Sequence, residues 1–201
     1  MRAILWCNGL HPSRELIQEV VSPGVTVFGV DGGADIAAAE GIEVAEVLGD
    51  MDSVDKKSWD GRSVSLPDQS RSDLSKSVGH LFEKGFLEID IIGVDGGSQQ
   101  HILGNWAALF EVPAGPQIRM HHENHVSRRF HPDDGEMRLE LEDGCSFSVF
   151  SFERNRVWIT GSRWDVSGEV MGFSTRGLSN EGAGGTVSIR AEGVLVVISR
   201  R

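Results

Sequence analysis

The apolar pattern of this chain changes its period once, and that change dictates two kinds of packing. Before Pro113-Ala114-Gly115-Pro116, short apolar runs alternate with stretches whose apolar residues recur at helical spacing. Ala3–Cys7, Val25–Val30, Val44–Leu48 and Ile89–Val94 read as buried strands, with Ser63–Leu66 as a further short one. Between them, helices are marked by Leu16, Ile17, Val20 and Val21 after Pro12-Ser13 and by the Ala-rich Asp35–Glu40. Leu74, Val78, Leu81 and Phe82 after Ser72 mark another, and Ile102, Leu103, Trp106 and Phe110 a fourth. Strands alternating with helices imply a doubly wound parallel sheet, because parallel neighbours need a crossover connection.

Beyond Arg138 the helical period is gone. Met137–Leu141, Ser146–Phe150, Arg156–Thr160, Thr186–Ile189 and Val194–Ile198 are short alternating runs separated by Gly, Asn and Asp, the pattern of a small antiparallel sandwich or barrel. The chain therefore reads as α/β: an N-terminal doubly wound parallel-sheet domain over residues 1–118, then a C-terminal antiparallel β-sandwich domain over residues 119–201. The histidine-bearing stretch from Arg119 to His131 falls at this junction. With no helical frame to fix ligand geometry, it reads as a solvated linker and strand rather than a metal site.

A formal net charge of -11 excludes a nucleic-acid scaffold, since backbone binding rests on Lys and Arg. An acidic chain that handles a nucleoside triphosphate needs a divalent cation between its carboxylates and the phosphates. Cys7 and Cys145 are the only cysteines and form no metal or disulfide spacing, which points to a reducing compartment. The apolar start Met1–Cys7 stops at Asn8-Gly9, too short for a secretion signal, and no run approaches membrane-spanning length. A soluble, cytoplasmic protein is expected, without nucleic-acid or membrane partners.

The chemistry concentrates in the polar segments that follow strands. In Gly49-Asp50-Met51-Asp52-Ser53, two aspartates at i, i+2 can turn toward one hard cation, and Mg²⁺ is held by one or two carboxylates together with substrate phosphates. A solvated acidic loop or an Asx-turn fits the same residues, as does the Asp-x-Asp of nucleotide-sugar glycosyltransferases. Pro67-Asp68-Gln69-Ser70-Arg71-Ser72-Asp73 leads into a helix, with Ser72 or Asp73 as N-cap. Asp73 there either serves the helix dipole or adds a third carboxylate to the metal site, and Lys76, one turn on, can reach a phosphate. Gly29-Val30-Asp31-Gly32-Gly33 and Gly93-Val94-Asp95-Gly96-Gly97 form a weak repeat, in which paired glycines make tight turns or admit a phosphate. The second copy runs on through Ser98-Gln99-Gln100-His101 into a helix start, a ready anion site.

Taken in order, Asn8-Gly9, Asp31-Gly32-Gly33-Ala34, Gly49–Ser53, Pro67–Gln69 with Ser72-Asp73, and Gly96-Gly97 through His101 and Asn105 resemble the thiamin pyrophosphokinase family. Thr160–Asp165 and Gly177–Asn180 extend the resemblance to most of the chain, and ordered co-occurrence is far more specific than any one motif. The resemblance implies a homodimer that transfers diphosphate from ATP to thiamin and releases AMP, with Mg²⁺ as cofactor. It implies Asp50, Asp52 and Asp73 as catalytic metal ligands. Asn8, Asp31, Gly32, Gln69, Ser72, Lys76, Gly97 and His101 would face nucleotide and phosphate, and Gln100, Trp164, Ser179 and Asn180 the thiamin. A Trp164 face suits a cationic thiazolium ring, although a sandwich-core place explains a tryptophan equally well. The chain departs from the family where Arg-x-Asp-His/Gln is usual: it has Ser98-Gln99-Gln100-His101, lacking both the arginine and the aspartate. That departure keeps two alternatives open, a diphosphokinase for another primary alcohol such as a pterin, and a binder of nucleotide or thiamin without turnover.

Overall fold

Strands that are apolar on both sides need helices over both sheet faces, and the first part of the chain supplies them. The computed structural model describes residues 1–51, 54 and 57–201, and the chain divides into Met1–Glu123 and Asn124–Arg201. In the first unit the elements run β1 (Arg2–Trp6), α1 (Arg14–Val20), β2 (Thr26–Val30), α2 (Gly33–Ala39), β3 (Val44–Gly49), β4 (Ser63–Ser65), α3 (Asp73–Glu83), β5 (Glu88–Ile92), α4 (Gln99–Glu111) and β6 (Gln117–His121). The strands lie in the order β6-β5-β1-β2-β3-β4, and every neighbouring pair is parallel. Chain direction across the sheet reverses at β1, which pairs β2 on one side and β5 on the other. In open parallel sheets, ligands bind beyond the carboxyl ends of the strands.

Ile4 and Trp6 of β1 pack with Leu16, Ile17 and Val20 of α1 and with Ala34 and Ala37 of α2. The buried Leu74, Val78 and Leu81 of α3 lie outside that cluster, and α3 packs instead on β2, β3 and α4. Each such buried aliphatic contributes roughly 1.5–3 kcal/mol. The helix ends follow local chemistry. Ser13 and Ser72 have extended backbones, and their hydroxyls accept from Leu16 N and Ser75 N, both at 3.2 Å.

Arg119 to His131 holds the strand expected of it as well as a short linker, but its polar residues are less solvated than their composition suggests. Residues 117–121 form β6, where Arg119 and His121 turn onto Asp90 of β5, which is fully buried. Arg119 Nε and His121 Nε2 each stand 2.6 Å from Asp90 Oδ1, and Arg2 Nε donates to Oδ2 at 2.7 Å. Burial alone would raise the Asp90 pKa, but these hydrogen bonds outweigh it and hold the carboxyl well below the usual range. The polar heads that made this strand look exposed are the partners of a buried charge.

The second unit carries β7 (His125–Phe130), β8 (Met137–Leu141), β9 (Ser146–Phe150), β10 (Asn155–Thr160), β11 (Val166–Met171), β12 (Asn180–Glu181), β13 (Gly185–Ala191) and β14 (Leu195–Arg200). They form two antiparallel layers, β12-β9-β14-β7 and β11-β10-β13-β8. Inward residues of both layers make one core, including Phe130, Phe147 and Leu195 from the first and Leu139, Val157 and Ile189 from the second. Among the described residues, no helix is long and apolar enough to cross a membrane.

Candidate functional site

Three acidic side chains converge beyond the carboxyl ends of β2 and β3. Asp31 follows β2, Asp50 follows β3 and Asp73 opens α3, and a carboxylate oxygen of each lies within 4.8 Å of the others. Asp31 is buried, and the other two are half-buried. Asp52, expected with Asp50 and Asp73 as a metal ligand, lies outside the described residues. Asp31, expected to face nucleotide and phosphate, is also brought beside Asp50 and Asp73, because β2 and β3 are neighbours.

The backbone is shaped to allow this. Asp31 and Met51 adopt φ of 45° and 66°, conformations rare for residues with a side chain. Asp31 Oδ1 accepts from Met51 N at 3.2 Å. Gly49, with φ +148°, passes so close that a Cβ there would stand 2.1 Å from Asp31 Oδ1. Gly33 lets α2 start against the Trp6 carbonyl, which an added Cβ would meet at 2.2 Å. In the first copy of the glycine repeat, then, Gly33 serves close packing. Burial first, and then the Asp31 carboxylate, push the Cys7 thiol up to about 12, so it stays neutral beside the acids.

Lys76 Nζ lies 2.7 Å from Asp73 Oδ1 and donates to the Leu66 carbonyl at 2.7 Å, with its side chain almost fully buried. Ser72 is the α3 N-cap, and Asp73 is the first helical residue behind it. Gln69 sits exposed in the turn that Asp68 closes by accepting from the Ser70 hydroxyl and N–H at 2.6 and 2.9 Å. Those two bonds lower the Asp68 pKa. Asn8 is exposed after β1, and Gly32 is buried as the residue before α2. Gly97, Gln100 and His101 are exposed around the start of α4, whose N-cap Ser98 makes no side-chain cap bond.

Three carboxylates this close, one of them buried, carry more negative charge than the single ammonium of Lys76 offsets, and a further cation among them relieves their repulsion. An all-oxygen donor set suits a hard ion such as Mg²⁺. Asp31, Asp50 and Asp73 therefore fit the cation that the acidic composition called for.

A second concavity, of about 340 Å³, lies in the C-terminal unit. Trp164, Ser179 and Asn180 all line it, with Asp165, Glu169, Arg176 and Leu178. Trp164 is 55% exposed, which removes the sandwich-core explanation for it. Arg163, paired with Glu181 at 2.6 Å, stands 5.8 Å over the Trp164 ring. Asn180 is buried and spends its amide on the chain: Nδ2 donates to the Trp164 carbonyl at 2.8 Å and to Ser162 Oγ at 3.2 Å, while Oδ1 accepts from Glu181 N at 2.8 Å. It positions the tryptophan turn. Ser179, at φ 58°, is exposed and donates its N–H to Ser148 Oγ at 3.0 Å. Glu169 and Arg176 carried no motif, and no local pattern marks them.

The family model described as "Thiamin pyrophosphokinase, catalytic domain" matches residues 17–121. A thiamine pyrophosphokinase of Bacillus subtilis (strain 168) is 30% identical over 186 residues, covering 85% of each chain. Among solved structures, a thiamine pyrophosphokinase from Bacillus subtilis superposes with a TM-score of 0.80 at 23% identity, covering 100% of this chain and 99% of that one. One from Candida albicans superposes at 0.76 with 10% identity, covering 99% and 89%. At those identities the superpositions establish the fold alone.

Proposed function

Since the chain belongs to the thiamin pyrophosphokinase family, we propose that it transfers a diphosphate from ATP to the hydroxyl of thiamin, giving thiamin diphosphate and AMP. The observation that carries this reading is the convergence of Asp31, Asp50 and Asp73 at the strand ends. Those three carboxylates, with Asp52 from the same segment, would hold Mg²⁺, which when bound neutralises charge on the phosphates. Phosphoryl transfer asks little covalent chemistry of a protein, so positioning and electrostatics account for most of the rate. Lys76 has three donors; one is given to the Leu66 carbonyl, the ammonium is ion-paired with Asp73, and a remaining N–H can take a phosphate oxygen. The acceptor hydroxyl attacks the β-phosphorus in line and AMP departs. Asn8, Gly32, Gln69, Ser72, Gly97 and His101 are assigned to the nucleotide and its phosphates.

The groove of the C-terminal unit takes the thiamin, with the Trp164 face against its cationic ring and Ser179 at the wall. Asn180 acts by holding the Trp164 turn, and Gln100 is assigned to the acceptor side of the α4 start. The working form is a homodimer, which light scattering at micromolar concentration tests: a fully active monomer would overturn it. ATP as co-substrate and free cysteines at Cys7 and Cys145 suit the cytoplasm.

The test of the reaction is AMP release from ATP with thiamin and with a panel of other primary alcohols. Thiamin should give the highest kcat/KM, and Asp50→Asn should abolish Mg²⁺-dependent release while the protein stays folded. Faster release with a pterin alcohol, or unchanged release by Asp50→Asn, would refute the assignment.

A further inference from the structure

The groove beside Trp164 holds an ion pair that its apolar walls do not need. Glu169 on β11 and Arg176, in the short turn before Leu178, both line it, and their carboxylate and guanidinium are paired. The two side chains are 41% and 56% exposed, so water screens their attraction and the pair adds little to folding. The remaining lining carboxylate, Asp165, has its Oδ1 engaged by the N–H and hydroxyl of Ser162 at 3.0 and 3.1 Å. Two acids against one guanidinium, next to an exposed aromatic ring, make a surface that favours a cation. The protein already offers that surface two cations of its own, Arg176 on Glu169 and Arg163 over Trp164.

We infer that Glu169 is a specificity-determining counter-charge for the cationic ring of the acceptor, and that Arg176 is an internal competitor that must leave Glu169 when the acceptor binds. The inference rests on the reading of this groove as the thiamin site. A quaternary ring nitrogen has no N–H, so a carboxylate can recognise it by charge alone, whereas Arg176 can hydrogen-bond the same oxygens. The ring prevails because it also gains the aromatic face, which Arg176 does not use. A neutral alcohol brings no charge to exchange for the guanidinium and leaves the pair closed. Selectivity thus lies with Glu169, whose charge a neutral alcohol cannot use, while displacing Arg176 is a cost that only the cationic acceptor meets.

The experiment is calorimetric titration of the full chain with thiamin, first at low ionic strength and then at about 0.5 M salt, where exposed charges are screened. Wild type is compared with Glu169→Gln, which keeps side-chain length, and with Arg176→Gln, which removes the charge and shortens the side chain, both at half-exposed positions; circular dichroism confirms the fold. Glu169→Gln should weaken thiamin by about tenfold at low salt and flatten the salt dependence, while Arg176→Gln should tighten it several-fold. The opposite signs matter, because an ion pair that merely shaped the groove would lose affinity from either side. Equal weakening by both variants overturns the inference, and so does a Glu169→Gln titration indistinguishable from wild type. Wild type that fails to bind thiamin at all removes the acceptor assignment itself, and this inference with it.

Discussion

Replacing Gly49 by alanine tests how the carboxylate cluster is built. The added Cβ would stand 2.1 Å from Asp31 Oδ1 and 2.6 Å from its Cγ. Ordinary carbon–oxygen contacts begin near ~3.3 Å, so the carboxylate must retreat by roughly 1 Å, or the backbone must move by as much. Either response breaks the hydrogen bond from Met51 N and opens the spacing among Asp31, Asp50 and Asp73. A misplacement of about 1 Å in a reacting assembly costs about 100-fold in rate, and that loss is expected in kcat/KM for AMP release. The φ of +148° adds about 1–3 kcal/mol for any residue with a Cβ. In a chain of this size that lowers Tm by roughly 2–12 °C. Gly49→Ala should therefore stay folded at 25 °C yet need far more Mg²⁺ for half-maximal release. A variant with kcat/KM within about threefold of wild type and an unchanged Mg²⁺ midpoint would refute the argument that Gly49 exists to admit Asp31.

Asp90→Ala leaves the side chains of Arg2, Arg119 and His121 without their buried partner and should cost the N-terminal unit about 3 kcal/mol, read from urea unfolding followed by the helical circular dichroism signal. Because the Asp90 carboxyl is held below its ordinary 3.8, its contribution is complete above about pH 4 and is lost as pH falls toward the folded value, so the gap between variant and wild type should narrow in acid. Ser72→Ala removes the α3 cap beside Asp73 and should cost about 1 kcal/mol, with a measurable rise in the Mg²⁺ midpoint. Trp164→Ala, at an exposed position, should shift stability by less than ~0.5 kcal/mol while raising KM for thiamin about tenfold; an unchanged KM would take Trp164 out of the site.

The sequence disclosed the parts of this molecule whose chemistry is local. Ser72 announced a helix start because a hydroxyl at that spacing can accept from Ser75 N, and Asp50 with Asp73 stood out as acids where strands end and helices begin. Asp31 could not be assigned to the same cluster from its neighbours, because its place depends on β2 lying beside β3 and on the absence of a Cβ at Gly49. Arg119 and His121 were misleading for a related reason: a polar residue in a strand reads as solvent-facing unless its partner, here Asp90, is known. β11 was hidden by Gly168, whose φ of +71° would normally interrupt a strand; the chain bends there to clear the Trp158 ring, which a Cβ would meet at 2.8 Å. Trp164 showed the reverse difficulty, since an aromatic residue in a β-rich segment suggests a core place and only the tertiary turn held by Asn180 turns it outward.

The central place of β1 in the parallel sheet also sets the order in which the chain can mature. Its apolar residues are synthesised before those of every other strand of this sheet, yet one of its two hydrogen-bonded edges is completed only by β5. At ordinary translation rates Ile92 leaves the ribosome roughly ten seconds after Trp6. Throughout that interval Ala3–Trp6 can pair with β2 alone, and Arg2 waits for a carboxylate that has not been made. A nascent chain that stalls before Ile92 therefore carries an open, apolar strand edge, the template on which protein aggregation begins.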